Sequence, residues 1–283
     1  MEHAKGKCQM PQKLTKTAII YDFDGTLARG NLQETSFIPN IGMEKEEFWE
    51  LVGEKKREED ADQILVYMHL MLKYAQANKI KVTREMLKEH GRSADLFDGL
   101  AHAKWFNRIN DIAAKDGLEL EHYILSSGIH EMILGCQIAN EFKQIFASRY
   151  IYDDEGVALW PAVAINYTTK TQYLFRINKG IDNNWDNSVI NSYMADKDRP
   201  IPFSRMIFVG DGDTDIPSMK MLTYQGGHSI AVYDPSRDHR SISKIHRLIS
   251  EDRVNFVAPA DYSEDSQFEI IIKGILGRIG LAC

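Results

Sequence analysis

The sequence predicts an α/β fold with a mostly parallel sheet between helices, interrupted by one inserted helical segment. Short apolar stretches with strand character alternate with amphipathic helical stretches, an order that implies parallel strands joined by right-handed crossovers. Three of the apolar stretches also end in polar residues, "DFDGT", "SSG" and "GDGDTD". Ligands of open α/β sheets bind beyond the carboxyl ends of the strands, so these polar ends are candidates for one common site.

The first strand and the helical insertion come first along the chain. Residues 18–21 are continuously apolar and lead into an Asp-Gly turn, which is typical of a short buried strand. Residues 30–96 are instead rich in helix formers, and residues 64–75 carry apolar side chains at helical spacing. We therefore expect an inserted block of helices there, with its methionines and aromatic residues packed in a core.

A second α/β run follows the insertion. The further strands that we predict lie at residues 121–125, 205–210 and 228–233, with a hairpin that turns at residues 153–156. The helices that we predict lie at residues 100–116, 129–142, 169–178, 242–251 and 266–276. Residues 181–202 are rich in Asn and Asp, and we expect this stretch to be irregular for much of its length.

Composition and charge argue against several classes of protein. The chain of 283 residues has a formal net charge of -7, which disfavours a dedicated nucleic-acid-binding protein. The N-terminal residues lack the apolar core of a signal peptide, and no apolar run is long enough to span a membrane. Cys8, Cys136 and Cys283 form no C-x-x-C pair or zinc spacing, so we expect reduced thiols and a cytoplasmic protein. The sequence leaves the oligomeric state open.

Acidic residues follow two of the predicted strands at the same edge of the sheet. Asp22 and Asp24 come after the first strand, and Asp211 and Asp215 follow a later one. Carboxylates that are held close together repel one another, and burial raises the cost of each charge, so a cation is expected among them. A set of oxygen ligands favours a hard ion, most often magnesium. Asp213 remains a further candidate for this site.

Four motifs occur in an order that resembles the haloacid dehalogenase-like superfamily. They are "DFDGTL" at 22–27, Ser126 after "YIL", Lys170, and "GDGDTD" at 210–215. The resemblance implies a three-layer Rossmann-like catalytic core made of residues 1–29 and 97–283, with a helical C1 cap at residues 30–96. Only the stretch between the first two motifs is long enough to hold such a cap.

The resemblance also implies a reaction and the residues that carry it. Asp22 would be the nucleophile that forms an aspartyl-phosphate, and Asp24 would be the general acid and base. Ser126 would bind the phosphate, and Lys170 would neutralise its charge. Magnesium would be held by the carboxylates of Asp22 and Asp211 and by the backbone carbonyl of Asp24. Asp215 would be either a further ligand or a residue that anchors the ligands. The implied enzyme is a phosphatase that acts on a small phosphorylated metabolite, with no nucleic-acid or membrane partner.

Residues next to these motifs are implied to contact the phosphate or the rest of the substrate. They are Gly25, Thr26, Ser127, Gly128 and Glu34. Around the first two motifs the chain is similar to phosphoserine phosphatase and its relatives. Glu34 is the cap residue for which a substrate contact is expected, with Gln33 as the alternative. The spacing within the cap does not match those enzymes, so the resemblance does not imply phosphoserine as the substrate.

Several alternatives remain open at the level of the sequence. Dehalogenases of the superfamily lack the second aspartate, so Asp24 favours phosphoryl transfer, but a phosphomutase would use the same aspartyl-phosphate chemistry. A catalytically idle binding protein with the same fold is a further alternative. Lys179 competes with Lys170 as the lysine of the site. Ser127 competes with Ser126, although Ser127 would also suit the N-cap of the following helix.

Overall fold

The structure is a computed structural model that describes residues 14–212, 214–236 and 246–283. Its centre is a seven-stranded sheet in the order β4-β3-β2-β1-β5-β6-β7. Neighbouring strands are parallel except β3 and β4, which form an antiparallel hairpin. The strands are β1 (Thr15–Tyr21), β2 (Leu118–Ile129), β3 (Gln144–Tyr152), β4 (Ala158–Val163), β5 (Met206–Gly210), β6 (His228–Tyr233) and β7 (Phe256–Pro259). The predicted α/β fold with a mostly parallel sheet is therefore confirmed.

Helices connect the strands along the chain. Five of them follow β1, namely α1 (Leu32–Thr35), α2 (Phe37–Asn40), α3 (Lys45–Glu58), α4 (Gln63–Ala77) and α5 (Arg84–Gly91). Later helices are α6 (Lys104–Lys115), α7 (His130–Gly135), α8 (Thr169–Lys179), α9 (Ile216–Tyr224) and α10 (Gln267–Ala282), and residues 246–250 are also helical. Among the residues that the structure describes, no helix combines the length and apolar character needed to cross a membrane.

The side chains of β1 show how the sheet separates two layers of core. Successive side chains of a strand point to opposite faces of the sheet. Ile19 and Tyr21 belong to the core on the face where α6 and α10 pack, whereas Ala18 and Ile20 belong to the core beneath α8 and α9. All four side chains are completely buried. A strand that is buried on both faces is typically a continuous run of apolar residues, as residues 18–21 are.

The helices α1–α5 form one inserted helical segment, residues 32–91, which contacts the core mainly through α5 against α7 and through α4 against β4. Its buried side chains Phe37, Phe48 and Met68 belong to the same hydrophobic cluster as Tyr21 of β1. Burying large apolar side chains is the main favourable term in folding. The shared hydrophobic cluster therefore stabilises both the inserted helices and the part of the core that they contact.

The inserted segment leaves and re-enters the core through a short paired stem. Ala28 forms an antiparallel bridge with Leu96. Next to it, the backbone N–H of Arg29 donates to the carbonyl of Asp95 at 2.7 Å. The two ends of the insertion therefore lie side by side.

Two elements near the second motif differ from the predicted ones. β2 continues to Ile129 instead of ending at residue 125, and its pairing with β3 shifts register over the last part. The shift lets the polar residues that follow Leu125 remain in the strand as an irregular stretch. The helix after it is short and covers only His130–Gly135, because Cys136 has an extended backbone conformation.

Other predicted elements fare differently. The hairpin turn at residues 153–156 is confirmed, and residues 181–202 are irregular apart from a 3-10 turn at Asp196–Asp198. β7 was not predicted from the sequence, because its four residues, Phe256–Pro259, are too few for a recognisable strand pattern. Of the predicted helix at residues 242–251, the first four residues lie outside the described part of the chain.

A chain of buried hydrogen bonds runs beneath the end of β1. The indole N–H of Trp105 donates to the hydroxyl oxygen of Tyr21 at 3.0 Å. That hydroxyl lies 3.2 Å from His122 Nδ1, and His122 Nε2 lies 2.9 Å from the side-chain oxygen of Asn110. Every group finds a partner if Tyr21 donates to Nδ1 and the neutral imidazole carries its proton on Nε2. Burial lowers the pKa of His122 to about 3, which keeps the imidazole neutral.

We expect His122 to make the protein less stable as the solution becomes acidic. Its pKa is about 3 in the folded state, against 6.5 for an ordinary histidine, so only the unfolded chain takes up the proton between these values. Its stabilising contribution is therefore complete above pH 6.5 and is lost as the pH falls. Between pH 7.5 and pH 5.5 the free energy of unfolding should drop by about 1.4 kcal/mol through this residue.

Urea unfolding of the wild-type chain and of His122→Gln at these two pH values measures this contribution. We expect the variant to be less stable than the wild-type chain at both pH values. Between pH 7.5 and pH 5.5, however, its free energy of unfolding should fall by about 1.4 kcal/mol less than that of the wild-type chain. An equal pH dependence in the two proteins would contradict the prediction.

Candidate active site

A cavity of about 680 Å³ opens at the carboxyl edge of the sheet. In the register of the sheet, Tyr21 at the end of β1 lies between Ile124 of β2 and Val209 of β5. The residues that follow these three strands therefore meet at one place. The wall contributed by the core includes Asp22, Asp24, Gly25, Ser126, Gly128 and Asp211. The wall contributed by the inserted segment includes Gln33, Glu34, Lys45, Trp49, Gln63 and Tyr67.

Asp22 is the first residue after β1, and its backbone is still hydrogen-bonded to the neighbouring strand β5. Its backbone N–H donates to the carbonyl of Val209 at 2.8 Å, which fixes the direction of its side chain. The side chain is nearly buried, and one carboxylate oxygen lies 3.0 Å from the ammonium group of Lys170. Burial raises the pKa of Asp22 and nearby Asp215 raises it further, while Lys170 opposes both effects. Lys170 thus favours the ionised form that a nucleophile needs.

Lys170 lies behind Asp22 and is completely buried. Its ammonium group contacts Asp215 at 2.7 Å as well as Asp22. Burial alone would lower the pKa of Lys170, but the charges of Asp215 and Asp22 outweigh burial and raise it. Lys179, the alternative candidate, instead donates to the backbone carbonyls of Val189 and Ile190. The structure therefore brings Lys170 to the acidic residues and uses Lys179 to hold the irregular stretch after α8.

Two glycines make room for two of the acidic side chains. Gly25 has a φ of 77°, and a Cβ atom there would lie 2.4 Å from a carboxylate oxygen of Asp211. A Cβ atom on Gly210 would lie 2.4 Å from a carboxylate oxygen of Asp215. Both distances are far below van der Waals contact. The glycine in each acidic motif therefore lets an acidic side chain lie directly against the backbone.

Three carboxylates form a group that suits a metal ion. Asp22, Asp211 and Asp215 each offer one oxygen, and these oxygens all lie within 4.8 Å of one another. Oxygen donors at this spacing fit a hard divalent cation such as magnesium. The carboxylate of Asp24 does not belong to this group. Asp213, which the sequence analysis kept as a candidate, lies outside the described residues.

Asp24 faces the cavity from the loop after β1. Its carboxylate accepts a hydrogen bond from the backbone N–H of Leu32 at 3.0 Å, at the start of the inserted helices. Burial raises the pKa of Asp24 to about 7, with a further contribution from the charge of Asp22. On the opposite side, a Cβ atom on Gly128 would lie 3.0 Å from the Asp24 carboxylate. Asp24 therefore lies between the inserted segment and residues 126–128 at the irregular end of β2, here called the Ser126 loop, and it can hold a proton near neutral pH.

Ser126 lies at the irregular end of β2 and is almost completely buried. Its hydroxyl oxygen accepts a hydrogen bond from the backbone N–H of Gly128 at 3.0 Å. Because this bond uses the oxygen as acceptor, the hydroxyl hydrogen can be donated to a ligand in the cavity. Ser127 also lines the cavity. It does not cap the next helix, because Ile129 occupies the N-cap position of α7.

The remaining predicted contact residues separate into two groups. Gly25 and Glu34 line the cavity, and the Glu34 carboxylate accepts a hydrogen bond from the indole N–H of Trp49 at 2.7 Å. Thr26 is completely buried and is not part of the described cavity wall. Its carbonyl accepts a hydrogen bond from Tyr262 at 2.7 Å, so its backbone contributes to packing beneath the loop.

Several residues of the cavity wall were not singled out from the sequence. Lys45, Trp49 and Gln63 come from the inserted helices, where no local pattern distinguishes them from other surface residues. Tyr67 was assigned to a packed helical face, and it is indeed 2% exposed, but its hydroxyl also lies at the site. The signal that was available is the hydroxyl itself, because a buried tyrosine usually needs a hydrogen-bond partner.

Known proteins resemble this chain in sequence over most of its length. The protein-family model described as haloacid dehalogenase-like hydrolase matches residues 19–220 of this chain. An uncharacterized protein of Borreliella burgdorferi is 25% identical over 277 residues, which covers 88% of this chain and 93% of that protein.

Solved structures show the same fold at low sequence identity. A HAD family hydrolase of Salmonella enterica serovar Typhi has a TM-score of 0.56 at 17% identity, covering 94% of this chain and 73% of that one. A phospho-aspartyl intermediate analogue of phosphoserine phosphatase has a TM-score of 0.52 at 17% identity, with 92% and 99% covered. A probable phosphoserine phosphatase from Vibrio cholerae has a TM-score of 0.57 at 12% identity, with 96% and 68% covered.

The family match spans most of the chain, and it includes both acidic motifs and the strands that carry them. This chain therefore belongs to the haloacid dehalogenase-like hydrolase family.

Proposed function

We propose that the protein is a magnesium-dependent phosphatase that hydrolyses a small phosphorylated metabolite through an aspartyl-phosphate. One observation carries the proposal. The Asp22 carboxylate lies 3.0 Å from a buried ammonium group, while Asp24, two residues on, faces the same cavity. The first is suited to attack phosphorus and the second to transfer protons.

In the first step, Asp22 attacks the phosphorus atom and the leaving oxygen departs. Lys170 lies behind Asp22 and reduces the repulsion between the carboxylate and the anionic phosphate. The Ser126 hydroxyl donates a hydrogen bond to a phosphate oxygen, because its own oxygen already accepts from Gly128. These three groups orient the phosphate for attack.

Asp24 donates a proton in the first step and accepts one in the second. A carboxylic acid with a pKa of about 7 is protonated in part of the molecules at neutral pH and can donate to the leaving oxygen. After donation, the same carboxylate can accept a proton from the water that hydrolyses the aspartyl-phosphate. Its position between the inserted segment and the Ser126 loop keeps it in reach of the substrate oxygen.

Asp22, Asp211 and Asp215 would hold the magnesium ion. When bound, the ion supplies positive charge that lowers the repulsion between a carboxylate and a phosphate. Support for this part of the proposal comes from the oxygen-only donor set and from the spacing of the three carboxylates.

We also propose that residues 30–96 act as a cap that selects the substrate. The wall of the cavity opposite the proposed catalytic residues comes from this segment. It combines the carboxylate of Glu34, the ammonium group of Lys45 and the side-chain amides of Gln33 and Gln63. A cavity of about 680 Å³ suits a small metabolite rather than a folded macromolecule. The polar wall favours a leaving group that carries hydrogen-bonding substituents.

The proposed activity is tested with a panel of phosphorylated metabolites and p-nitrophenyl phosphate, with released phosphate as the readout. We expect turnover with magnesium and loss of turnover on addition of EDTA. Asp22→Asn should lower kcat by at least about a thousandfold, since the nucleophile is removed. Wild-type turnover in this variant would exclude an aspartyl-phosphate mechanism, and an inactive wild-type chain across the whole panel would overturn the proposed function.

The two candidate lysines provide a matched comparison. Lys170→Met should lower kcat by about a hundredfold or more, because the charge beside Asp22 is lost. Lys179→Met removes a lysine from the other end of the same helix and should keep kcat within about threefold of the wild-type value. Urea unfolding monitors both variants, since removing one partner of a buried ion pair is destabilising. A larger loss of kcat in Lys179→Met would assign the role to Lys179.

A further inference from the structure

The inserted helix α4 contacts two core segments that carry proposed catalytic residues. We infer that two residues are positioning residues of the site: Tyr67, within α4, and Asp62, the N-cap of α4. Tyr67 orients the peptide group that follows Ser127, next to Ser126. Asp62 orients the first turn of α8, which carries Lys170. The inference rests on the proposed function, because it concerns the geometry of the same site.

The contact of Tyr67 acts on a single peptide group. Its hydroxyl donates to the carbonyl oxygen of Ser127 at 2.8 Å. The N–H of the same peptide group belongs to Gly128 and donates to the Ser126 hydroxyl oxygen at 3.0 Å. A peptide group is planar, so its C=O and N–H cannot turn independently. The Tyr67 hydroxyl therefore fixes the direction from which Ser126 receives its hydrogen bond.

The core holds this peptide group from its other side. The hydroxyl of Ser148, on β3, donates to the same Ser127 carbonyl at 3.1 Å and accepts from the backbone N–H of Ile165 at 3.1 Å. A carbonyl oxygen accepts two hydrogen bonds, so Tyr67 and Ser148 together satisfy it. Loss of Tyr67 would leave one restraint from the core and none from the inserted segment.

Asp62 connects the start of α4 to the start of α8. One of its carboxylate oxygens caps α4 by accepting from the backbone N–H groups of Ile64 and Leu65, at 2.9 and 3.1 Å. The other oxygen accepts from the side-chain amide of Asn166. One carboxylate therefore caps the inserted helix and binds a residue of the core at the same time.

Asn166 precedes α8 and is hydrogen-bonded to the first turn of this helix. Its backbone carbonyl accepts from the N–H of Lys170 at 3.0 Å. Its backbone N–H donates to the Thr169 hydroxyl at 2.7 Å, and its side-chain oxygen accepts from the same hydroxyl at 3.1 Å. The position of the Asn166 side chain is thus tied to the turn that presents Lys170, and Asp62 holds that side chain.

A third contact of α4 offers a control that lies away from the catalytic residues. The hydroxyl of Tyr150 on β3 donates to the backbone carbonyl of Met68 at 2.9 Å. Like Tyr67, Tyr150 is a buried tyrosine whose hydroxyl joins α4 to the core through a backbone carbonyl. It contacts neither the Ser126 loop nor α8 through this bond. Removing either hydroxyl should cost similar stability, so only a positioning role separates the two variants.

The first experiment compares Tyr67→Phe with Tyr150→Phe, using p-nitrophenyl phosphate and magnesium. Both variants should lower the midpoint of urea unfolding to a similar extent. Tyr67→Phe should lower kcat about tenfold while KM stays within about twofold, because the phosphate is bound but less well oriented. Tyr150→Phe should keep kcat within about twofold of the wild-type value.

The outcomes separate this inference from the proposed function. An active wild-type enzyme whose two tyrosine variants have equal kcat values would overturn the role of Tyr67 alone. A rise in KM with unchanged kcat would show that Tyr67 contacts substrate instead of positioning Ser126. An inactive wild-type chain would overturn the proposed function and the inference together.

The second experiment exchanges the two side chains that join α4 to α8. Asp62→Asn leaves a single oxygen for two acceptor roles, and Asn166→Asp places two carboxylates against each other, so each should lower kcat. The double exchange restores an amide–carboxylate pair and should raise kcat at least about tenfold above the value that independent effects predict. Recovery of the urea midpoint without recovery of kcat would show a purely structural contact and overturn the role of Asp62.

Discussion

The buried ion pair of Lys170 with Asp22 and Asp215 is the interaction on which the rest of the site depends. One ammonium group lies within 3.0 Å of carboxylates that follow two different strands. Burial and the charge of Asp215 raise the pKa of Asp22, and Lys170 opposes both effects. The lysine therefore favours the ionised form of Asp22 and brings α8 against the ends of β1 and β5. With Asp211 nearby, the same cluster can also hold a divalent cation.

Close packing around the acids constrains the backbone as strongly as the side chains. Asp211 lies against Gly25 and Asp215 lies against Gly210, each where no Cβ atom would fit. The glycine of one motif serves the acid of the other in the first case, and its own acid in the second. The first contact joins the two motifs, so the loop after β1 and the loop after β5 are fitted to each other.

The sequence predicted features that depend on local order. Apolar strands followed by acidic residues predicted both the sheet and the group of acidic residues, because the carboxyl ends of parallel strands lie at one edge of the sheet. The choice between Lys170 and Lys179 stayed open at that level, although the two lie about 13 Å apart along a helix axis. Contacts such as Tyr67 with Ser127 were not predictable, since they join residues 60 positions apart and leave no periodic pattern.

The paired stem of the inserted segment has a consequence for folding. The contact between Arg29 and Asp95 closes a loop whose ends are 66 positions apart. Bringing the ends of such a loop together costs about 4 kcal/mol of chain entropy, more than one bridge and a few hydrogen bonds supply. The stem should therefore stay open until the inserted helices have buried their apolar side chains on the sheet. Asp22 and Asp24, for which we propose catalytic roles, lie just before this stem and would then acquire their final surroundings late in folding.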